Sequence, residues 1–176
     1  MKINVIGTSG SGKSTLAKQI AARLGAPYIE MDTLYWRANW QGISDEEMFA
    51  TLAEKLNATP DWVLDGNYNR TRPVKWQQVD IVVWIDYGFW RTLRQVTCRA
   101  LKRAWHQQEL WPGTGNRESL HRAFFSRESI ILWMLKTWRH NRIRYSADMH
   151  NAAFRHIRFV HITTPAQARA FIDSLA

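Results

Sequence analysis

Eight residues near the start of the chain have the types and the spacing of a phosphate-binding loop. Residues 7–14 read Gly-Thr-Ser-Gly-Ser-Gly-Lys-Ser, which is the pattern G-x-x-x-x-G-K-S. Glycines let such a loop curl so that its backbone N–H groups surround a chain of phosphates. The lysine of this pattern reaches the β- and γ-phosphates of a nucleotide, and the hydroxyl that follows it binds Mg²⁺. The spacing therefore predicts that Lys13 holds phosphate and that Ser14 holds magnesium. The other loop residues predicted to bind the nucleotide are Gly7, Ser9, Gly10, Ser11, Gly12 and Thr15.

The residues on either side of this loop predict the elements that would hold it. Residues 3–6 form a short, mainly apolar run typical of a buried strand, and Leu16, Ile20 and Leu24 recur with helical spacing. A strand before the glycines and a helix after them is the context that the pattern requires. The helix would add its dipole and free N–H groups to phosphate binding. A chance Gly/Ser-rich turn, the alternative, would leave the flanking periodicity unexplained.

Strands and helices alternate along the rest of the chain. Short apolar runs predict the strands, and apolar residues at helical spacing predict the helices between them. Residues 44–47, Ser-Asp-Glu-Glu, have the spacing of a helix capping box. This alternation predicts a parallel sheet covered by helices on both faces. The sequence thus predicts an α/β fold in one domain over residues 1–176, with strands at 3–6, 28–31, 62–64, 81–85 and 157–162, and with long helices from about Phe89 to His106 and from about Arg127 to Tyr145.

Three aspartates, Asp32, Asp65 and Asp86, directly follow predicted strands. Parallel strands end at one edge of their sheet, where ligands bind, so we expect these carboxylates to gather near the phosphate-binding loop. Asp65 ends an apolar run and is suited to holding Mg²⁺ through water, with a turn or capping role as the alternative. For Asp86 the turn or capping role is favoured. Asp32 could orient or deprotonate the hydroxyl of an acceptor substrate, or assist the metal, and capping the next turn explains it equally well.

Positive charge is concentrated in the second half of the chain. The formal net charge is +9, and residues 91–158 hold fourteen Lys and Arg against four acids. Such a segment attracts polyanions, either nucleotide phosphates or nucleic acid, although a solvated basic surface has the same composition. Arg99 and Arg103, one helical turn apart, could clamp phosphate oxygens. Arg142 or Arg144 could close over a nucleotide as part of a lid.

Cysteine content and hydropathy indicate the compartment. The single cysteine, Cys98, excludes an internal disulfide framework and a four-cysteine zinc site. No apolar stretch is long enough to cross a membrane. Because residues 1–2 run directly into the first predicted strand, we expect no secretory signal. These features predict a cytoplasmic protein without a membrane partner.

A more specific pattern follows the third predicted strand. Residues 62–71 read Trp-Val-Leu-Asp-Gly-Asn-Tyr-Asn-Arg-Thr, which resembles the adenylate kinase segment L-D-G-F-P-R-T with one extra residue. Residues 79–86, followed by a helix with Arg99 and Arg103, resemble the strand and arginine-bearing helix that lead into the lid of such kinases. Residues 110–118 resemble the lid signature of a bacterial group. The chain thus resembles the adenylate-kinase-like branch of P-loop kinases along essentially its whole length, and within it the bacterial DNA-topology-modulation or adenylate-kinase-related proteins.

This resemblance implies a three-layer α/β/α P-loop NTPase with a helical basic lid at about 99–145 and an acceptor-binding segment at about 32–60. It implies ATP and Mg²⁺ as cofactors. On the same basis Asp65 organises the magnesium, Arg70 holds the phosphate of the acceptor, and Thr164 belongs to the loop that packs against adenine.

The acceptor-binding segment departs from the adenylate kinase pattern. Asp32, Arg37 and Arg70 are the residues expected to bind the acceptor, but the family's Gly-Asp-x-x-Arg spacing is missing. Trp36 and Trp40 stand in this polar stretch and are candidates for stacking on a ligand. The identity of the acceptor therefore stays open.

Three functions are compatible with these features. The first is an ATP-dependent phosphotransferase acting on a nucleotide or another small acceptor, with Lys13, Arg99, Arg103 and Arg142 as its catalytic charges. The second is a nucleic-acid-associated ATP-binding regulator with little or no kinase activity, which would use 91–158 as its polyanion surface. The third is a nucleotide-sensing interaction protein without turnover. The sequence leaves the oligomeric state and the choice between ATP and GTP open.

Overall fold

A parallel sheet forms the centre of the fold. The computed structural model of the chain describes residues 1–107, 109–126 and 129–175. Its strands are β1 (Lys2–Gly7), β2 (Tyr28–Glu30), β3 (Trp62–Asp65), β4 (Ile81–Ile85) and β5 (Arg158–Ile162). Within the described ranges these five strands form one sheet in the order β2-β3-β1-β4-β5, and every neighbouring pair is parallel. The predicted α/β fold with a five-stranded parallel sheet is confirmed.

Helices follow the strands as the hydrophobic periodicity predicts. The described helices are α1 (Lys13–Leu24), α2 (Met31–Tyr35), α3 (Asp45–Asn57), α4 (Arg72–Lys75), α5 (Phe89–His106), α6 (Leu120–Phe124), α7 (Ile130–Met149) and α8 (Pro165–Asp173). Helix α5 has the predicted bounds, whereas α7 continues past Tyr145 to Met149. Arg127, the predicted start of that second long helix, lies outside the described residues. Over those residues, the helices include none that is both long and apolar enough to span a membrane.

Helices cover both faces of the sheet, which makes the fold three-layered. On one face α1 and α8 bury Leu16, Ile20 and Phe171 against the sheet. On the other face α3 and α7 contribute Leu52 and Tyr145 to a second buried cluster. Strands β3 and β4 are buried along their whole length, as expected for strands covered on both sides, whereas the edge strand β5 exposes Arg158 and His161.

The strand register brings the carboxyl ends of the strands to one edge. Asp65 of β3 is level with both Val5 of β1 and Glu30 of β2. On the other side of β1, Ile85 of β4 is level with Gly7. The loop after β1 therefore emerges between the ends of β3 and β4, where open α/β sheets bind ligands.

The N-termini of α3 and α8 both have the spacing of a capping box, but only α8 forms the complete box. Ser44 Oγ accepts a hydrogen bond from the Glu47 backbone N–H at 3.1 Å. The predicted capping box is only half formed, because the Glu47 carboxylate pairs with Arg37 at 2.8 Å instead of returning to Ser44. Helix α8 has the complete box, in which Thr164 and Gln167 satisfy each other's backbone N–H groups.

Candidate functional site

The loop between β1 and α1 has the backbone of a phosphate-binding loop. Gly10 and Gly12 have φ values of 86° and 95°, in the left-handed region that favours glycine. Gly10 also lies directly against α5, since a Cβ at this position would be 2.6 Å from Val96 Cβ. A larger residue at Gly10 would therefore push the loop away from the helix that carries Arg99.

The first turn of α1 is open to an anion. Gly12 is the N-cap, no described side chain caps it, and the first turn contains no acidic residue. Its N–H groups and the helix dipole are therefore available to a phosphate. The Ser11 hydroxyl is buried and makes no hydrogen bond with any described atom. A phosphate oxygen would supply the partner that this polar atom lacks. The predicted nucleotide-binding residues of 7–15 lie together here, and their roles remain predictions.

Lys13 meets Asp65 at the centre of the site. Lys13 Nζ lies 3.4 Å from Asp65 Oδ1, and the Asp65 side chain is buried. Its Oδ2 accepts a hydrogen bond from the Tyr28 hydroxyl at 2.9 Å, whereas Oδ1 makes no hydrogen bond within the described part of the chain. A carboxylate oxygen without a hydrogen bond and the nearby Ser14 hydroxyl are ligands of the type that Mg²⁺ prefers. The donor set present therefore fits the predicted magnesium.

Asp32 and Glu30 lie around this pair, whereas the third aspartate expected here, Asp86, pairs with Arg142 and His161. Burial raises the pKa of Glu30, and the charges of Asp65 and Asp32 raise it further. Burial also raises the pKa of the Tyr28 hydroxyl, and Asp65 adds to that shift. Tyr28 is therefore held as a proton donor to Asp65. The concentration of negative charge favours a bound cation at this edge of the sheet.

Asp32 is held by a tyrosine at the start of α2. The Tyr68 hydroxyl donates a hydrogen bond to Asp32 Oδ1 at 2.7 Å. Burial raises the pKa of this tyrosine and the Asp32 charge raises it further, so the hydroxyl stays protonated. The N-cap of α2 is Glu30, and it has no side-chain capping bond. The side chain of Asp32 is thus oriented by Tyr68, and its role toward an acceptor stays a prediction.

Arg99 of α5 interacts with the acids of this region, and Arg103 lies beside it. Burial lowers the pKa of the Arg99 guanidinium and Arg103 lowers it further, while the charges of Glu118, Asp32 and Asp65 partly offset this. Arg103 Nη1 lies 3.9 Å from Glu118 Oε2, which is a loose pairing. Arg99 forms no close ion pair within the described ranges. It is therefore a cation near the Lys13–Asp65 pair whose charge is still free for a phosphate.

The two arginines predicted to bind an acceptor already have acidic partners. Arg37 pairs with Glu47 at 2.8 Å, and Arg70 pairs with Asp45 at 2.7 Å, both on α3. Arg70 also lies over the Tyr35 ring, 5.2 Å from its centroid. Their charges are partly neutralised and exposed to solvent, so an anionic acceptor would have to compete for them.

Arg142 contacts the end of β4 rather than the loop after β1. Its Nε lies 3.0 Å from the Asp86 carboxylate, which also meets His161 Nε2 at 3.0 Å. The predicted capping role of Asp86 is wrong, because Gly88 is the N-cap of α5 and this helix start has no side-chain capping bond. Asp86 instead joins α7 and β5 to the end of β4. The catalytic role predicted for Arg142 stays a prediction.

Two asparagines that sequence reasoning left out contact the phosphate-binding loop. The Asn67 amide accepts from Gly7 N at 2.9 Å and donates to Gly7 O at 2.6 Å. Asn141 Nδ2 donates to Thr8 Oγ1 at 3.2 Å, and Arg144 Nη2 donates to Asn141 Oδ1 at 2.6 Å. Asn67 follows the strand-end Asp65 by two residues, and this position could have indicated from the sequence that Asn67 lies near the phosphate-binding loop. For Asn141 the signal was a polar residue on the buried stripe of a helix.

The basic lid region contacts the acceptor-binding segment through tryptophans. Trp111 stacks on Trp36 with ring centroids 5.7 Å apart and an interplanar angle of 16°. Asn116 accepts from Trp40 N at 3.0 Å and donates to Arg37 O at 2.9 Å. The rings of Trp36 and Trp40 thus already pack against Trp111, and their stacking on a ligand stays a prediction.

Comparison with known sequences finds similarity over the first third of the chain. Residues 3–64 match the family described as ATPase family associated with various cellular activities (AAA). The chain is 50% identical over 40 residues to a probable gluconokinase from Schizosaccharomyces pombe. That match covers 23% of this chain and 21% of the yeast protein, so the chain matches about a fifth of the length of this curated relative.

Solved structures resemble the chain over nearly its whole length. A shikimate kinase from Acinetobacter baumannii in complex with shikimate has a TM-score of 0.59 at 15% identity, covering 99% of this chain and 89% of that one. A shikimate kinase from Bacteroides thetaiotaomicron has a TM-score of 0.57 at 10% identity, with coverages of 99% and 96%. A sugar kinase from Janibacter sp. HTCC2649 has a TM-score of 0.53 at 18% identity, with coverages of 98% and 90%. Together with the sheet order and the glycine loop, these likenesses define the fold as that of a P-loop NTPase.

Proposed function

We propose that this chain is an ATP-dependent phosphotransferase that acts on a small hydroxylated molecule. The observation that carries the proposal is the approach of Lys13 Nζ to within 3.4 Å of the buried Asp65 carboxylate, beside the open first turn of α1. A phosphate-binding lysine, a metal-binding carboxylate and free helical N–H groups are what phosphoryl transfer requires around the transferred group. The similarity to gluconokinase, sugar kinase and shikimate kinases supports the same class of reaction.

On the nucleotide side of the site, several groups share the task of neutralising the negative charge of the phosphates. Residues 7–15 surround the phosphates of ATP, and Ser14 and Asp65 hold Mg²⁺, which neutralises phosphate charge when bound. Lys13, Arg99 and Arg103 add positive charge around the transferred phosphoryl group. Arg142 joins them as a catalytic group only if its pair with Asp86 opens. Thr164, which caps α8 after β5, lies on the adenine side.

The acceptor side is built around Asp32. Tyr68 orients its carboxylate, so Asp32 can hold or deprotonate an acceptor hydroxyl. Because Arg37 and Arg70 are paired with acids on α3, a neutral or singly charged hydroxylated acceptor suits the segment better than a nucleotide phosphate. The adenylate-kinase-like subtype, with a nucleoside monophosphate as the acceptor, remains the alternative.

The test is ADP release from Mg-ATP in the presence of different acceptors. The panel contains sugar acids, polyols, cyclic hydroxy acids, nucleosides and nucleoside monophosphates. We expect one chemical class to stimulate release, and we expect Lys13→Met to lower that rate by about a hundredfold or more because it removes a preorganised charge. Lys55→Met is the matched control, since Lys55 is an exposed lysine near the end of α3.

Two outcomes would contradict the proposal. Phosphoryl transfer that continues at the wild-type rate in Lys13→Met would exclude the assigned site. Tight binding of ATP without turnover on any acceptor would favour a nucleotide-dependent regulator.

A further inference from the structure

Lys75, the last residue of α4, is a lysine with a fully buried side chain. Its exposed fraction is 0%. Its ammonium group donates to the carbonyl oxygens of Asn67 at 2.8 Å and Gly66 at 3.2 Å. Across the described ranges, no acidic side chain forms an ion pair with it. Buried lysines are rare and costly unless they are well partnered, so this position calls for an explanation beyond packing.

The turn that Lys75 holds follows directly after Asp65. Asn4, buried in β1, donates to the same Gly66 carbonyl at 3.2 Å, so that oxygen is held from two sides. Gly66 has a φ of 149°, and a Cβ there would lie 2.7 Å from Met31 Cβ. The backbone after Asp65 therefore has little freedom to shift.

The same turn is connected to the phosphate-binding loop. The backbone pairing of β3 with β1 ends near Asp65, where Gly66 N donates to Val5 O at 3.2 Å. Beyond that point the Asn67 side chain continues the connection, with one hydrogen bond to each backbone polar group of Gly7. We call these hydrogen bonds together the Lys75–Asn67 link. They are the bonds from Lys75 to the carbonyl oxygens of Gly66 and Asn67, and the bonds between the Asn67 amide and Gly7.

We propose that the Lys75–Asn67 link is a positioning device that sets the placement of Asp65 relative to the phosphate-binding loop. The inference rests on the proposed function and adds two positioning residues to that site. Asp65 ends β3, whereas Lys13 begins α1 after the loop that follows β1. A shift of about 1 Å between such groups is enough to lower a rate by about a hundredfold. A long side chain with several donors holds two carbonyls of one turn at once, which a shorter polar residue at the same backbone position would not reach.

The experiment compares Lys75→Met, Asn67→Ala and the double variant in steady-state phosphoryl transfer. We expect each single change to lower kcat by about tenfold or more, with a much smaller change in KM for Mg-ATP, because the link acts on transfer geometry. Since both changes break the same connection, the double variant should be no slower than the slower single variant. Lys55→Met and Asn57→Ala, at exposed positions of α3, are the matched controls and should keep kcat within about twofold of the wild type.

Non-additive effects of the two substitutions on kcat distinguish a role in positioning Asp65 from a role in stability alone. If Lys75→Met lowers the melting temperature but keeps the wild-type kcat, or if the two effects multiply, the link does not position the site and the inference is overturned. If Lys75→Met does not fold, Asn67→Ala decides alone, and a wild-type kcat in that variant overturns the inference.

The proposed function is tested separately within the same experiment. A wild-type chain that transfers no phosphate to any acceptor overturns the proposed function, and this inference with it. Turnover by the wild type that Asn67→Ala leaves unchanged overturns this inference alone.

Discussion

Three polar side chains near the phosphate-binding loop, those of Asn4, Asn67 and Lys75, are partnered mainly by backbone groups. Asn4 donates to the carbonyl of Leu64 at 3.0 Å, and its oxygen accepts from Trp76 Nε1 at 3.0 Å. Lys75 and Asn67 likewise bond to main-chain atoms. An unpaired buried polar group costs about 1–3 kcal/mol, so these bonds hold the backbone in one place. In our proposal, these neighbours position the residues of the candidate site and take no part in the chemistry themselves.

The burial of Lys75 should make the stability of the protein depend on pH in a specific way. Burial lowers the pKa of its ammonium group well below the ordinary 10.5, and the nearby Arg72 and Arg144 charges lower it further. Between that lowered pKa and about 10.5 the unfolded chain binds more protons than the folded one, so stability rises with pH. We expect the free energy of unfolding of the wild type, relative to Lys75→Met, to rise in this window by up to about 1.4 kcal/mol per pH unit.

The measurement is urea unfolding of both proteins over a series of pH values from about 7 to about 10. Groups such as Tyr28 and Tyr68 titrate in both proteins, so their contributions cancel in the difference. Two stability curves that stay parallel over the whole series would show that Lys75 titrates normally.

At the scale of elements, the lid region and the acceptor-binding segment form one contact surface. Trp111 is only 8% exposed, and its ring meets Trp40 edge-on at 5.5 Å in addition to stacking on Trp36. Aromatic pairs of this kind contribute about 0.5–1.5 kcal/mol beyond their buried area. The loop after α5, the helix whose Arg99 and Arg103 are predicted to reach the nucleotide, is therefore fastened to the segment expected to hold the acceptor.

Removing the Trp111 ring should loosen this contact. We expect Trp111→Ala to raise KM for the acceptor by about tenfold while KM for Mg-ATP changes little, because closure over the acceptor loses binding energy. Steady-state kinetics with the identified acceptor measures both constants. Trp105→Ala is the control, since Trp105 is 82% exposed at the end of α5. Equal effects of the two substitutions would show that the contact has no role in acceptor binding.

Element boundaries were predictable where the apolar periodicity is strong. Helix α5 begins and ends at the predicted residues because its buried stripe, including Val96 and Ala100, recurs at helical spacing. Helix α7 was predicted too short; its last turn packs through the half-buried Met149 and through Asp148, whose ion-pair partner is distant in sequence. Arg72 forms that pair with Asp148, and an ion pair across 76 residues leaves no local signal.

On the scale of the whole molecule, charge is strongly segregated. Residues 91–158, with fourteen Lys and Arg against four acids, carry more positive charge than the net +9 of the whole chain. Some of these cations are committed to internal pairs, such as Arg103 with Glu118 and Arg142 with Asp86. Others lie exposed along α5 and α7, among them Arg91, Arg94, Lys102, Lys136 and Arg139. The molecule therefore presents a basic surface on one part of its fold.

This surface should bind nucleic acid weakly and without sequence preference. We expect the affinity for a single-stranded oligonucleotide to fall by about tenfold or more as salt rises from about 50 mM to about 200 mM, because counterions are released on binding. Fluorescence anisotropy measures the affinity, and an oligomer with an uncharged backbone serves as the control. Absence of binding at the lower salt concentration would remove the nucleic-acid interpretation of the basic segment.

Local patterns were enough to predict the core of the site. The glycine spacing, the strand before it and the helix after it all lie within one short stretch, so the loop follows from neighbouring residues. Asp65 was predictable because parallel strands must end at the same edge of the sheet. The alternation of apolar runs similarly determined the three-layer fold.

Only the tertiary structure decided how those parts are held in place. Gly7 and Asn67 are 60 residues apart, and Arg142 and Asp86 are 56 apart, so packing alone brings them together. From the sequence, Lys75 would be expected at the surface, because its burial depends on the carbonyl oxygens of Gly66 and Asn67, which only the folded turn points toward it. The periodicity of apolar residues specifies the helices and strands, whereas the contacts between side chains of different elements depend on how those elements pack.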